Sequence, residues 1–521
     1  MAKEFNTSVT CNPKRHYMVD VTAKMKVFEG LINKAKYFTI NRARQFGKSS
    51  ALNWILWNMS DRYLVIPASF EKSSEEDWMS TDSFCRFFCT KIIDVCSTER
   101  DKEIISFWEK IKALEKIDFD ILSLKIKEFC KLIGKKIVLT IDEVDQSLDN
   151  ELFTRFLSML RNMYLDREKL QDDTYTFWSV ILAGVYDVKN LKIKIRPEED
   201  HKYNSPWNVA ADYRLDMAFN PQEISTMLAD YENDYHFGFN IKEISEEIFK
   251  YTSGYPVLVS AVCKEIDENL DKDWSKDGVQ KAVKLFIKDP NASILRNITR
   301  NVETYPDLKK LLRAITLDNF KVSYYADNLP IDLARTFSFI RPNENSQAQI
   351  HNLIFQQVLL EYFISDNQLA ALTPDTSSKI FIDKNGDLNM PLIINRFQDL
   401  IRQKRNKEDE FLEREGRFMF ICFLKPIING TGFYYSEPEN DDGSRMDLVI
   451  TYNRKEYIIE LKIWHGTEYE ISGRDQLAEY LTTRNLSEGY LVTFSFLKNK
   501  VVQTKPEWIE HEGKKIYEAV I

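Results

Sequence analysis

Paired cysteines of the CxxC kind are lacking in this chain. Cys11, Cys85, Cys89, Cys96, Cys130, Cys263 and Cys422 are scattered through 521 residues, with no CxxC and no histidine at ligand spacing. That excludes a disulfide framework and reads as reduced, mostly buried thiols of a cytosolic protein. Long apolar runs are also lacking: none approaches the roughly 18 residues needed to cross a bilayer, and the opening MAKEFNTSVTCNPKRHY has no signal-peptide core. A soluble, cytoplasmic chain with no membrane partner is expected. There is no excess of positive charge either. Net charge is −9 and the pI about 5.5, so any nucleic-acid contact must use local patches. Internal repeats and low-complexity tracts are missing. What remains is a chain with 44% hydrophobic residues, ample for burial and long enough for more than one core.

Against that background the segment NRARQFGKSS, Asn41 to Ser50, stands out, because Gly47-Lys48-Ser49 directly follows the apolar run Tyr37 to Ile40. In such a loop (Arg44, Gln45, Phe46, Gly47, Lys48, Ser49 and Ser50), backbone N–H groups curl around phosphates. The lysine reaches the outer phosphates and the serine hydroxyl ligates Mg²⁺. A helix from Ser50 to Met59 would point its positive end at the anion. The match to GxxxxGK[ST] is incomplete, since Arg42 stands where the first glycine would fall.

About ninety residues later, Lys136 to Ile141 runs into Asp142-Glu143. A nearly continuous apolar strand needs cover on both faces, and ligands of such α/β sheets gather at the strands' carboxyl ends. Asp142 is placed to hold Mg²⁺ and Glu143 to orient the water that attacks the γ-phosphate. Further strands are expected at Tyr63 to Ser69 and Phe177 to Ala183, with helices around Cys85 to Cys96, Asp118 to Leu132 and Leu152 to Tyr164. Asp187 is expected near the nucleotide. Arg161 and Arg167 read as solvated surface arginines, with an arginine finger as the sharper alternative.

From Asn220 the pattern turns helical, with starts at Pro221 and at Gly254-Tyr255-Pro256. Residues 290 to 365 add helices and a short strand pair near Phe320 to Tyr325 and Phe337 to Arg341, which reads as winged-helix-like. The strings HYMVD, YFTINRARQFGKS, IDEVDQS, LAGVYDVKNLK, HKYNSPWNVAADY and TSGYPVLVSAVCKEIDE together resemble the AAA-ATPase-like proteins of bacteria, over roughly residues 10 to 365. In that family an arginine-rich loop before GKS is usual. Gly254-Tyr255-Pro256 is similar to the glycine-proline lid motif of STAND-related ATPases, where the proline region contacts nucleotide. The resemblance implies ATP as cofactor and leaves open whether it is hydrolysed or only bound.

The tail carries a second constellation. Asp447 to Thr451, then Asn453-Arg454, then Glu456 to Lys462 reads as a hairpin whose two-residue turn pairs Tyr452 with Lys455. Continued along both strands, that register sets Asp447 opposite Glu460, with Cβ atoms roughly 5 Å apart. Opposed carboxylates repel unless a cation lies between them, and Lys462 shares the face of Glu460. A divalent metal with a positioned ammonium suits phosphodiester hydrolysis. The D…ExK pattern resembles the PD-(D/E)XK nuclease superfamily, with Met446 in place of the name's proline. The resemblance adds Glu415, or alternatively Glu413, as the first-helix glutamate of the metal site. It also adds Gln476 with Tyr480 as the QxxxY extension, and Mg²⁺ or Mn²⁺ as the ion.

The expected organisation is a P-loop α/β core with a parallel sheet (1–219), a helical lid (220–289), a winged-helix-like unit (290–365), a linker (366–390) and a mixed α/β restriction-endonuclease-like domain (391–521). The favoured function is an ATP-gated, metal-dependent nuclease that acts on nucleic acid, DNA ahead of RNA, with homo-oligomerisation and a role in genome defence or mobile-element control left open. The alternative is a nucleotide-dependent switch whose tail binds without cutting. Lys189, Lys192, Lys194 and Arg196, and Arg402, Lys404, Arg405 and Lys407, are the basic patches considered for a phosphate backbone. His16, His201, His236 and His351 have no metal spacing, and His465 and His511 lie near the tail site in sequence alone.

Overall fold

Short apolar runs separated by amphipathic helices bury themselves as a parallel sheet under helical cover. The computed structural model describes residues 3–8, 10–71, 73–95, 102–147, 150–186, 207–213, 215–316, 320–325, 328–366, 378–404, 413–428, 432–435, 448–463, 467–494 and 506–521. Two compact units divide the chain: Met1–Ala282 with Thr336–Ser338, and Val283–Arg335 with Phe339–Ile521.

In the first unit, β1 (Phe38–Asn41), β2 (Leu64–Ser69), β3 (Ile137–Asp142) and β4 (Ser179–Gly184) form a parallel sheet in the order β1-β4-β3-β2. All of β4, and β3 up to Ile141, is buried. Phe84, Phe88, Trp108, Phe129, Phe156 and Leu160 from the covering helices complete one core. Each such side chain taken wholly out of water contributes roughly 2 kcal/mol. The strand order has a functional consequence, since β4 lies between the strand that feeds the glycine-lysine loop and the strand that ends in Asp142.

Arg167 corrects its expected exposure. It is 2% exposed, donates to the carbonyls of Phe177 (2.9 Å), Trp178 (2.8 Å) and Ala35 (2.8 Å), and lies over the Tyr164 ring. A guanidinium with five donors tolerates burial when carbonyls and aromatic faces receive it. Arg167 is therefore neither a solvated arginine nor a finger. Arg161 donates to Asn208 at 2.8 Å.

Three helices follow, Pro221–Tyr235, Ile241–Thr252 and Pro256–Asn269. The first opens on a capping box between Asn220 and Glu223 with Pro221 in its first turn, which satisfies otherwise orphaned N–H groups. The N-terminal segment packs on this helix: Phe5 meets Tyr17 and Tyr231, Tyr17 donates to Asp234 at 2.9 Å, and Lys3 pairs with Asp230 at 2.7 Å.

In the second unit, helices Ser293–Thr304, Pro306–Thr316 and Leu329–Thr336 precede a hairpin of β5 (Ile340–Pro342) and β6 (Ala348–Ile350), and then helix Leu353–Asp366. The strand near Phe337 to Arg341 thus pairs with Ala348–Ile350 and not with Phe320 to Tyr325. The latter contributes the single bridge Ser323–Gln347. Local apolar content located the strands but could not choose between partners at comparable sequence separation.

A six-stranded sheet follows: β7 (Phe433–Tyr435), β8 (Leu448–Tyr452), β9 (Lys455–Ile463), β10 (Glu488–Phe494), β11 (Glu507–His511) and β12 (Lys514–Val520), in the order β11-β12-β10-β9-β8-β7. The hairpin register is as read from sequence, with Tyr452 paired to Lys455 and Leu448 to Ile459. Asn453 and Arg454 both have positive φ (48° and 66°), the backbone that a two-residue hairpin turn requires. Residues 378–389, expected within a linker, are folded onto this unit. Ile382 bridges Leu388, and the Asp387 carboxylate accepts from Asn453 at 2.9 Å and from Lys455.

Gly254 marks a tight approach in the lid. Its φ is +70°, its carbonyl accepts from Phe219 N at 2.8 Å, and a Cβ there would stand 1.8 Å from the Phe219 carbonyl oxygen. Gly254→Ala is expected to destabilise the first unit by about 3 kcal/mol, read as a fall in the denaturation midpoint; a midpoint equal to wild type would contradict this packing.

Candidate functional site

The loop between β1 and helix Lys48–Met59 takes its shape from two left-handed residues, Gln45 (φ 58°) and Gly47 (φ 83°). This geometry gathers backbone N–H groups into an anion-binding concavity. Arg42, standing where a first glycine was looked for, is not among the positive-φ residues, so its backbone has no need of glycine. Its N–H donates to Gly184 O at 3.1 Å, and its guanidinium donates to the carbonyls of Asn41 and Leu215.

Helix and sheet bring the predicted polar residues together. Lys48, only 6% exposed, donates to the carbonyls of Arg42 (3.0 Å) and Ala43 (3.1 Å). Ser49 Oγ donates to Asp142 Oδ2 at 2.5 Å, and Asp142 Oδ1 accepts from Glu143 N at 2.9 Å. Glu143 has φ 56°, a strained conformation for a side chain of this type that overdetermined surroundings must hold. Burial lowers the pKa of Lys48, opposed by the charges of Asp145, Glu143 and Asp142. Burial likewise raises that of Glu143, opposed by Lys48.

These groups line a cavity of about 870 Å³, whose wall also includes Tyr17, Met25, Met217, Phe219 and Pro256. Polar groups converging on a partly apolar cavity of this size fit a mononucleotide. The lid meets the loop directly: Tyr255 Oη donates to Arg44 O at 2.9 Å, and the Tyr255 and Phe46 rings lie edge to face with centroids 4.6 Å apart.

In the second unit, Glu460 on β9 is fully buried and pairs with Lys462 Nζ at 2.7 Å. Lys462 Nζ also donates to Gln476 Oε1 at 2.9 Å, and Gln476 Nε2 donates to Tyr480 Oη at 2.6 Å. Gln476 and Tyr480 share helix Thr467–Thr483, which lies over β9 and β10. Four of the predicted tail residues therefore form one hydrogen-bonded chain. Asp447 lies outside the described residues, as do the side chains of Glu413 and Glu415, which begin helix Glu413–Ile428. Asp187, His465 and both basic patches lie outside them too, except for the backbone of Arg402 and Lys404. His511 is near this helix in space, its Nε2 donating to Asp475 Oδ1 at 2.6 Å. With Glu512 the two form an exposed group whose ligand atoms lie within 4.8 Å of one another.

The first unit's geometry has a counterpart among known families. A family model described as "AAA-like domain" matches residues 7–326. The chain belongs to this AAA-like family. The match ends before residues 327–521. Among solved structures, the chain is similar to the Walker-type ATPase PABY2304 of Pyrococcus abyssi, at 15% identity and a TM-score of 0.47, over 68% of this chain and 99% of that one. It is also similar to the ORC2 protein of Aeropyrum pernix in ADPNP-ADP complexes, at 11% identity and a TM-score of 0.36, over 69% of this chain and 98% of that one. No curated protein matches. Among the described residues, no helix is long and apolar enough to cross a membrane.

Sequence reasoning missed three parts of the AAA-like site. The N-terminal segment lines the cavity, with Asn6, Ser8 and Cys11 among its residues. Tyr255 reaches the loop through its hydroxyl. Asp145, one turn after the acid pair, binds the end of β4. The strings HYMVD and IDEVDQS contain Tyr17 and Asp145 without indicating what either touches.

The raised pKa of Glu143 has a sign that stability measurements can read. Its folded-state value lies above the ordinary 4.5, so the native state holds the proton more tightly and loses stability as pH rises through that window. Glu143→Gln is expected to raise the melting temperature at pH 7, and the gain should vanish below about pH 4, where both states are protonated. Equal melting temperatures at pH 7 would contradict the burial argument.

Proposed function

We propose that the AAA-like unit binds and hydrolyses ATP, and that this nucleotide cycle controls a metal-dependent phosphodiester-cleaving site in the second unit. The observation that carries the reading is the meeting of Lys48, Ser49, Asp142 and Glu143 at the carboxyl ends of parallel strands, on one nucleotide-sized cavity. Lys48, buried yet offset by three carboxylates, is suited to the β- and γ-phosphates, where a charge-assisted bond is worth most. Ser49 Oγ and Asp142 Oδ2, 2.5 Å apart, are hard oxygen donors of the kind Mg²⁺ takes. When bound there, Mg²⁺ supplies neutralisation of the phosphate charge. Glu143, raised in pKa, would accept the proton of the attacking water.

In the second unit, the buried Glu460 carboxylate offers a hard oxygen ligand to Mg²⁺ or Mn²⁺, with Asp447 and Glu415 or Glu413 as the proposed companions. Lys462 would steady charge developing on a phosphate oxygen. Gln476 holds the lysine, and Tyr480 fixes the orientation of the Gln476 amide. The ion, when bound, lowers the pKa of a water and polarises the phosphate. One observation favours a second reading: Glu460 already has a cation at 2.7 Å, which would neutralise it in a binding module that does not cut.

Two measurements test this. Lys48→Ala is expected to weaken ATP binding by about 100-fold, since a charged hydrogen bond of about 2–3 kcal/mol is lost; equal affinity in titration calorimetry would remove the nucleotide assignment. Wild-type protein with Mg²⁺ or Mn²⁺ and ATP is expected to cleave DNA or RNA, and Glu460→Gln to lose both cleavage and Mn²⁺ binding. Mn²⁺ affinity that is unchanged in Glu460→Gln would favour the non-cutting reading.

A further inference from the structure

β3 reads Ile-Val-Leu-Thr-Ile-Asp, and Thr140 is its single polar side chain ahead of Asp142. Side chains along a strand alternate between faces. Ile137, Leu139 and Ile141 enter the core formed with the covering helices, so Thr140 and Asp142 share the opposite face, where Ser49 on helix Lys48–Met59 meets Asp142. Thr140 therefore lies two residues behind Asp142, about 6.6 Å along the strand, on the side of the phosphate loop.

Burial at that position leaves the hydroxyl unanswered. Thr140 is 1% exposed, and among the described residues its Oγ1 has no hydrogen-bond partner. Its neighbours across the sheet are Pro67 on β2 and Ile181 on β4, whose side chains offer no polar atom. A buried hydroxyl without a partner costs stability, and a valine would fill the same space without that cost. Thr140 also lines the wall of the cavity together with Lys48, Ser49, Asp142 and Glu143, so its hydroxyl is within reach of a small polar group that enters the phosphate site.

A hydrated divalent cation brings such a group. Mg²⁺ dehydrates reluctantly and keeps several waters, each a hydrogen-bond donor in need of an acceptor. We propose that Thr140 is the floor of the cation site, a positioning residue whose Oγ1 accepts from a water in the shell of Mg²⁺ and so holds the ion against Asp142. The inference rests on the ATP-binding reading given above. Thr140 touches neither nucleotide nor ion; it acts through one water, so its contribution exists only when the cation is present.

The test is titration of the full-length protein with the non-hydrolysable analogue AMP-PNP, once with Mg²⁺ and once in EDTA. The quantity read is the factor by which Mg²⁺ strengthens binding. Thr140→Val is expected to lower that factor about tenfold, the size of one hydrogen bond, with the affinity in EDTA unchanged. Without nucleotide its melting temperature should equal or exceed that of wild type, because the orphaned hydroxyl is gone. Thr140→Ser, which keeps the hydroxyl, should retain most of the Mg²⁺ effect. If Thr140→Val does not fold, Thr140→Ala should show the same loss. An unchanged Mg²⁺ factor in these variants, or an equal fall of affinity with and without the cation, would overturn the proposal. Wild-type protein that binds no AMP-PNP in either condition would overturn the ATP-binding reading, and this inference with it.

Discussion

A lysine ammonium buried beside carboxylates is the constraint on which the first unit depends. Lys48 is almost wholly removed from water, and an isolated charge in that position would be expensive. The phosphate loop answers with the carbonyls of Arg42 and Ala43, and the neighbouring strand ends answer with Asp142, Glu143 and Asp145. Each carboxylate is in turn held: Asp142 by Ser49 Oγ and Glu143 N, and Asp145 by the amides that follow β4. Only Glu143 bears a strained backbone with a carboxyl pushed toward neutrality. That environment suits the proton-accepting role proposed for Glu143.

Sheet order and lid packing extend this constraint outward. With β4 between β1 and β3, the phosphate loop and the acid pair flank one strand, and Ser49 joins them directly through Asp142. The lid reaches the same loop from the other direction, because Gly254 lets the chain pass against Phe219 and delivers the Tyr255 hydroxyl to Arg44 O. Discrete contacts of this kind are what a two-state device needs. In the second unit a comparable logic applies around Glu460, where Lys462 on β9 leads to Gln476 and Tyr480 on the helix above it.

The legible parts of the fold are those where burial alone dictates residue type. β1, β3 and β4 read as strands because a sheet covered on both faces leaves few polar positions, and the acid pair announces the end of β3. The β8–β9 register was legible because a two-residue turn leaves one pairing. Elsewhere the pattern misled. Arg167 sits at a helical position where arginine is ordinarily solvated, and only the carbonyls of distant Phe177 and Ala35 explain its burial. Arg42 looked like a departure because the motif specifies a glycine that this backbone does not require. The β5–β6 pairing, Asp145 and the N-terminal lining depend on contacts between distant segments, which composition and spacing do not encode. Asp447 and the Glu415 side chain, proposed for the tail site, lie outside the described residues.

The most direct test of the account is an experimental structure of the full-length protein with Mg²⁺ and AMP-PNP. The account places the β- and γ-phosphates within hydrogen-bond distance of Lys48 Nζ, drawn away from the carbonyls of Arg42 and Ala43, with the cation between Ser49 and Asp142. Nucleotide bound elsewhere, or Lys48 still seated on those carbonyls with the phosphates out of reach, would contradict it.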